Sequence, residues 1–315
     1  MSAIINNKKG FTLTELLVSL AISGVIMAGV YSVFSSQQRS YVAQEQITEV
    51  QQNLRASMLI LSRNVRMASF GFGPDGISYH DGAGIAHISG ITGFNTNPDR
   101  IDIVYADNSV SANITIPMPV SSAELNVDGT AGFADGDLVI ITDGINGSLL
   151  EITTVQPVAL KLQHNPAVDN INPPGGQNIF PPGGYGPGSK VYKIKYYSFD
   201  VSFADPAHPT LRLDRDGPLG GATYQPLARN IEDLQVVYIY NDDHEDNAPD
   251  NSDANTSNDS SDIRAVRINV LARTDKTGLK SGDGRPALED HGCGESDHYE
   301  RRLLTTTIKV RNLGL

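Results

Sequence analysis

The sequence predicts an α+β fold, with one long N-terminal helix from about residue 11 to about residue 69 packed on a large antiparallel β-sheet head. Three observations predict it. An uncharged apolar run, Leu16 to Phe34, follows a short head that contains two lysines and a glycine. A stretch from Gln37 to Ala68 then continues without proline or glycine and is apolar on one side only. From Phe72 onward, short β-branched and aromatic segments alternate with clusters of Gly, Asp, Asn and Pro, and no strand–helix–strand rhythm appears.

The head of the chain reads Lys8, Lys9, Gly10, Phe11, Thr12, Leu13, Thr14, Glu15. Two lysines favour the cytoplasmic side of a membrane. Leu16 to Phe34 is long enough to cross most of a bilayer core, which takes roughly 20 apolar residues. Glu15 is the anomaly, because a carboxylate inside such a segment costs about 2.5 kcal/mol or more and calls for a partner. An ordinary signal anchor leaves Glu15 unexplained. A secretory signal peptide would place its cleavage site after the apolar run, and no Ala-x-Ala site follows Phe34. Within the run, Gly24 and Ala28 lie four residues apart, so they form a small-residue strip where a second helix can approach, although such residues are also common in any membrane helix.

The order from Lys9 to Leu16 resembles the class III signal of type IV prepilins. The resemblance implies that prepilin peptidase cuts after Gly10 and methylates the new N-terminal residue, Phe11. It also implies that the Glu15 carboxylate pairs with the N-terminal amine of a neighbouring subunit during assembly, which supplies the partner that the energetics requires. Many major pilins carry a proline at the position held here by Ser32, so no proline kink is expected there.

Beyond the apolar run, Ile47, Val50, Leu54, Met58, Leu61, Val65 and Ala68 recur at spacings of three and four, one face of a helix. Gln44, Glu45, Glu49, Gln52, Arg55, Arg63 and Arg66 occupy the other face. The whole helix would run about 85 Å at about 1.5 Å per residue, and Gly71, Gly73 and Pro74 end it. Strands are predicted over 100–105, 137–142, 149–155, 191–199, 234–240, 263–272 and 304–311. In Ile263 to Ala272, Arg264, Val266, Ile268 and Val270 interleave with Ala265, Arg267 and Asn269, the pattern of a strand with one wet face. Residues 172–188 carry Pro-Pro-Gly-Gly twice and predict a surface loop. Residues 241–262 are rich in Asp, Asn and Ser and predict a long mobile loop. The expected organisation is a leader over 1–10, a membrane or fibre-core half-helix over 11–34, an amphipathic half-helix over 35–70, and a β-rich head over 71–315 that includes both loops.

Several pieces of the head are similar to PilW-type minor pilins: Asp99–Tyr105, Gly136–Asp143, Tyr196–Phe199, Asn230–Tyr238, Arg264–Val270 and Thr305–Asn312. Singly each is weak, but they stand in family order. The J-class minor pseudopilins of type II secretion share a similar plan. The resemblance implies a type IV pilin-like fold and a structural component that primes or caps pilus assembly. Its implied partners are prepilin peptidase, other minor pilins, the major pilin and a tip adhesin. Its implied location is the inner membrane, with a periplasmic head, and then the pilus. The two rival readings are a J-class pseudopilin and a head that is itself an adhesin.

Composition bounds what else the chain can do. Its 315 residues carry a net charge of −12, and removing Lys8 and Lys9 with a leader takes 24 basic residues to 22 against 36 acids, giving −14. That balance argues against nucleic acid as a main partner. Cys293 is the only cysteine, so no intrachain disulfide closes the head, unlike the C-terminal loop of many pilins. Gly71 to Gly76 matches G-x-G-x-x-G by letter but follows a helix rather than a strand and carries Pro74, so it is not read as a nucleotide loop. The acidic stretch offers Asp253, Asp259 and Asp262 as weak calcium candidates, but neither EF-hand register is complete: from Asp253, Asn258 fills the glycine position and Arg264 the closing acid, and from Asn251 the loop closes on Asp262 but begins with an amide and lacks the glycine. His291, Cys293, Glu295, Asp297 and His298 crowd together without a second Cys-x-x-Cys or His pair, poor spacing for zinc. No G-x-S-x-G, P-loop or H-E-x-x-H occurs, so no cofactor and no catalytic role are expected.

Overall fold

The computed structural model describes residues 10–73, 76–81, 84–166, 171–172, 179–215, 217–219, 221, 223–249, 259–275 and 284–313. One helix, α1 (Leu13–Met67), precedes all the strands. In chain order these are β1 (Ile77–His80), β2 (Ile85–Ile88), β3 (Ile91–Phe94), β4 (Arg100–Asn113), β5 (Glu124–Asn126), β6 (Leu138–Thr142), β7 (Gly147–Glu151) and β8 (Thr154–Gln156). They continue with β9 (Lys161–Gln163), β10 (Lys190–Ser202), β11 (Thr210–Asp214), β12 (Gln225–Arg229), β13 (Ile231–Tyr240), β14 (Glu245–Asp246), β15 (Ile263–Arg273) and β16 (Arg301–Lys309). The chain divides into two compact units, one ending at Glu49 and one running from Val50 to Leu315.

In the second unit the predicted helix face is the buried one. Val50, Leu54, Met58, Leu61, Val65 and Ala68 join one core with Ile101 and Ile103 of β4, Phe199 of β10, Val236 and Tyr238 of β13, Val266, Ile268 and Val270 of β15, and Ile308 of β16. Each large side chain so removed from water contributes about 1.5–3 kcal/mol before the entropy of ordering it. The helix ends at Met67, four residues before Gly71. Ser69 turns into the left-handed region at φ 60° and Gly71 follows at φ 94°. A Cβ on Gly71 would lie 2.3 Å from the Ala106 Cβ, so the exit of α1 needs glycine there for space as well as conformation. Ser69 N–H donates to Val104 O at 3.0 Å and Ala106 N–H to Phe70 O at 2.7 Å, which ties the exit to β4.

The large antiparallel head is built as three sheets. Nine strands form one sheet in the order β12-β11-β10-β6-β7-β1-β2, with β4 added to β10 and β3 to β4. Four form a second, β14-β13-β15-β16, and three a third, β5-β9-β8. All pairings are antiparallel except one contact of β1 with β7. Strand β10 organises the first sheet. One edge carries β4 from Lys190 to Phe199, while the other carries β6 over Lys190–Lys193 and β11 over Ser198–Ser202. The first two sheets are joined at Asp99, whose N–H donates to Leu234 O at 2.9 Å and whose Oδ2 accepts the Val236 N–H at 2.8 Å.

Both predicted loops need correction over their described parts. Residues 179–188 were expected at the surface, yet Ile179, Phe180 and Tyr185 are buried in a second core with Met118, Leu125 and Leu162, and Tyr185 bridges Met118. Two aromatic rings outweigh the glycines and prolines around them. Residues 241–249 were expected to be mobile, yet Glu245–Asp246 pair with Tyr238 and Ile239 as β14. Arginines on β15 hold them: Arg264 pairs with Asp243, and Arg267 meets both Glu245 oxygens at 2.9 and 2.8 Å. The predicted strand over 149–155 is two, β7 and β8, broken at Ile152.

Candidate assembly interface at the N-terminal helix

Gly10 and Phe11 precede the first turn of α1, so the peptide between them lies outside the helix. Both are exposed, and a Cβ on Gly10 would meet nothing within 4 Å. Residues 1–9, with Lys8 and Lys9, lie outside the described residues.

The first turn closes on itself through Thr12 and Glu15. Thr12 N–H donates to Glu15 Oε2 at 2.9 Å, Thr12 O–H to the same oxygen at 2.9 Å, and Glu15 N–H to Thr12 Oγ1 at 3.3 Å. This reciprocal arrangement is a capping box, which satisfies two of the N–H groups that every helix start leaves open. Thr12 is the partner of Glu15 that the sequence reading missed. The signal was present, since Thr12-x-x-Glu15 ahead of an apolar run is the sequence form of the box. Glu15 therefore has hydrogen-bond partners within its own chain, but no cation among the described residues.

Every apolar side chain from Leu13 to Phe34 stands open. Phe11 is 87% exposed, Leu13 75% and Phe34 63%. The helix is long and apolar enough to cross a membrane, and none of its most apolar window is buried. Such a surface is stable only in lipid or against other apolar surfaces. Gly24 and Ala28 are both exposed, and a Cβ on Gly24 would meet nothing within 4 Å.

The other candidates serve local structure. Asp253 lies outside the described residues. Asp259 accepts the Ser261 N–H at 2.9 Å, capping a short turn, and Asp262 accepts from the Asn241 amide at 3.4 Å. His291 binds buried Asp233 through Nδ1 at 2.8 Å, beside Arg285 at 2.9 Å on the same carboxylate. Asp297 pairs with Arg301, whose Nε also meets Glu232 at 2.6 Å. These ion pairs fasten residues 284–300 to β13. Cys293 is free and exposed. Among the described residues, no three His, Cys, Asp or Glu side chains converge as a metal site would need.

Two family models match the chain. Residues 5–31 match the prokaryotic N-terminal methylation motif, and residues 197–312 match the type IV pilus-assembly protein W family. The chain joins the methylation motif of type IV prepilins to a PilW-type region. The PilW match begins inside β10 and takes in all of β11–β16, including the whole four-stranded sheet beneath α1. The similar pieces at Asp99–Tyr105 and Gly136–Asp143 fall outside it. The methylation-motif match covers Gly10, Phe11, Thr12, Glu15, Gly24 and Ala28. A type IV-like pilin from Thermus thermophilus aligns over 84% of this chain and 97% of its own, at 8% identity and a TM-score of 0.37. That likeness is too low to add to the PilW assignment, which rests on the two family matches. No curated protein matches the chain.

Proposed function

We propose that this PilW-like chain is a minor pilin that primes or caps type IV pilus assembly. Prepilin peptidase cuts between Gly10 and Phe11, and the freed amine is methylated. Before assembly the helix lies in the inner membrane with the head on the periplasmic side. The helix then leaves lipid for a bundle of similar helices, and Gly24 and Ala28 give a neighbour close approach. Glu15 exchanges its contacts with Thr12 for the N-terminal amine of an adjacent subunit. That exchange gives the carboxylate a charged partner in an apolar setting, where an unpaired charge is costly, so it favours ordered assembly over a lone subunit.

The observation that carries this reading is the open, membrane-length helix with a single acid in its first turn, within the matched methylation motif. Glu15→Ala is expected to leave cleavage intact and to remove the chain from sheared pili, read by immunoblots of membrane and pilus fractions. Wild-type recovery of the variant in pili would overturn the pairing.

A further inference from the structure

A groove of about 770 Å³ runs beside the last turns of α1. Arg55, Leu59, Arg63 and Arg66 recur at spacings of four, four and three, and so share one side of the helix. All four are exposed. Leu59 is 72% exposed, although its neighbours Met58 and Leu61 are buried in the core. Across from them the groove is lined by Tyr105, Lys195, Leu304 and Arg311.

Most of the positive charges of this groove are unmatched among the described residues. Lys195 pairs with Asp107 at 2.9 Å, the one acid in the lining. Arg55, Arg63, Arg66 and Arg311 have no carboxylate partner among the described residues. Elsewhere on the head many arginines are paired, among them Arg212 with Asp200, Arg264 with Asp243, Arg267 with Glu245 and Arg301 with Glu232. In a chain with 36 acids and 24 basic residues, four free guanidinium groups around one cleft are not an average surface.

We infer that this groove docks an acidic amphipathic helix of a neighbouring pilin-class subunit. One apolar side chain of that helix rests on Leu59, and carboxylates on either side pair with Arg55 and Arg66. Charge complementarity selects the acid, because guanidinium groups hold carboxylates through two parallel hydrogen bonds. The outer anchors lie about 16 Å apart along α1, the length of about three turns of a helix laid beside it. An apolar centre ringed by charges is the ordinary build of a docking patch. The partner class rests on the proposed assembly with other pilins; the preference for an acidic helix does not.

The test uses the full chain in a non-ionic detergent and two labelled helical peptides. One peptide carries two glutamates eleven residues apart around a central leucine, and the other carries glutamines in their place. The acidic peptide is expected to bind about tenfold or more tighter, to weaken as salt rises, and to lose its advantage in Arg55→Glu/Arg66→Glu. Arg55→Gln/Arg66→Gln should lose most of it too, which guards against a folding defect, and Arg302→Glu on β16 should not. Equal binding of the two peptides, or a preference that survives both double variants, would overturn the inference. So would tighter binding of duplex DNA or of anionic vesicles through the same arginines. Peptide binding does not depend on fibre formation. A negative result therefore removes the groove assignment and leaves the minor-pilin reading to the Glu15→Ala experiment.

Discussion

Asp99 shows how a single residue can carry information that composition does not. Its carboxylate accepts N–H groups from Val236 and from Thr96, at 2.8 and 3.1 Å, at the junction of two sheets. Burial nevertheless raises its pKa to about 7, because the backbone donors that favour the charged form do not offset desolvation and the nearby Asp233 and Asp290. An acid raised in the folded state stabilises the fold fully below its unfolded value, near 3.8, and loses that contribution as pH rises towards 7. The stability of the wild-type chain relative to Asp99→Asn should therefore fall between about pH 4 and about pH 7 and level off above. Urea midpoints of the two proteins across that range would show it, and a pH-independent difference would refute it. Nothing in the run Asp99–Tyr105 marks this acid from Asp102, which instead holds Arg100 through two hydrogen bonds of 3.1 and 3.0 Å. Only the neighbours of each carboxylate separate them.

At the scale of elements, α1 was the most legible and the irregular segments the least. The three-and-four spacing from Val50 to Ala68 names the buried face residue by residue. Leu61 sits at its centre and is fully buried, so Leu61→Ala should cost about 2–5 kcal/mol in chemical denaturation, while exposed Leu59→Ala should cost much less. Equal losses would mean that the helix packs through another face. The seven predicted strands all have counterparts, although the one over 149–155 is two, and the short strands β1, β2, β3, β5, β9, β11 and β12 went unread, as did the two-residue β14. Strands as short as these carry too few side chains to establish a period. The Pro-Pro-Gly-Gly and acidic segments were misread in their described parts for a common reason. Turn residues report where a chain can bend, but not whether Tyr185 finds a core or whether Glu245 finds Arg267.

At the scale of the whole molecule, two chemistries share one chain. An apolar helix surface needs lipid or like helices, and an acidic head of three sheets suits water. The Val50–Leu315 unit is far larger than the helical one, and a bulky head fits a terminal position in a fibre better than repeated packing along its shaft. A strain lacking the gene should therefore lose surface pili, counted by electron microscopy, while its protein secretion stays normal. Normal pili with failed secretion would move the chain to the J-class pseudopilins of type II secretion.

The sequence by itself determined the processing motif, the membrane-length run with its one acid, the amphipathic half of α1 and the β-rich character of the rest. Those are properties of neighbouring residues along the chain, set by spacing and polarity. Tertiary structure alone decided the division into three sheets, the role of β10 as the branch point of the first, the burial of Asp99 and the fastening of residues 284–300 by Glu232 and Asp233. It also decided that four arginines face one cleft with no carboxylate partner among the described residues. Each of these depends on which distant segments meet, and pairing between strands far apart in sequence leaves no period in either one.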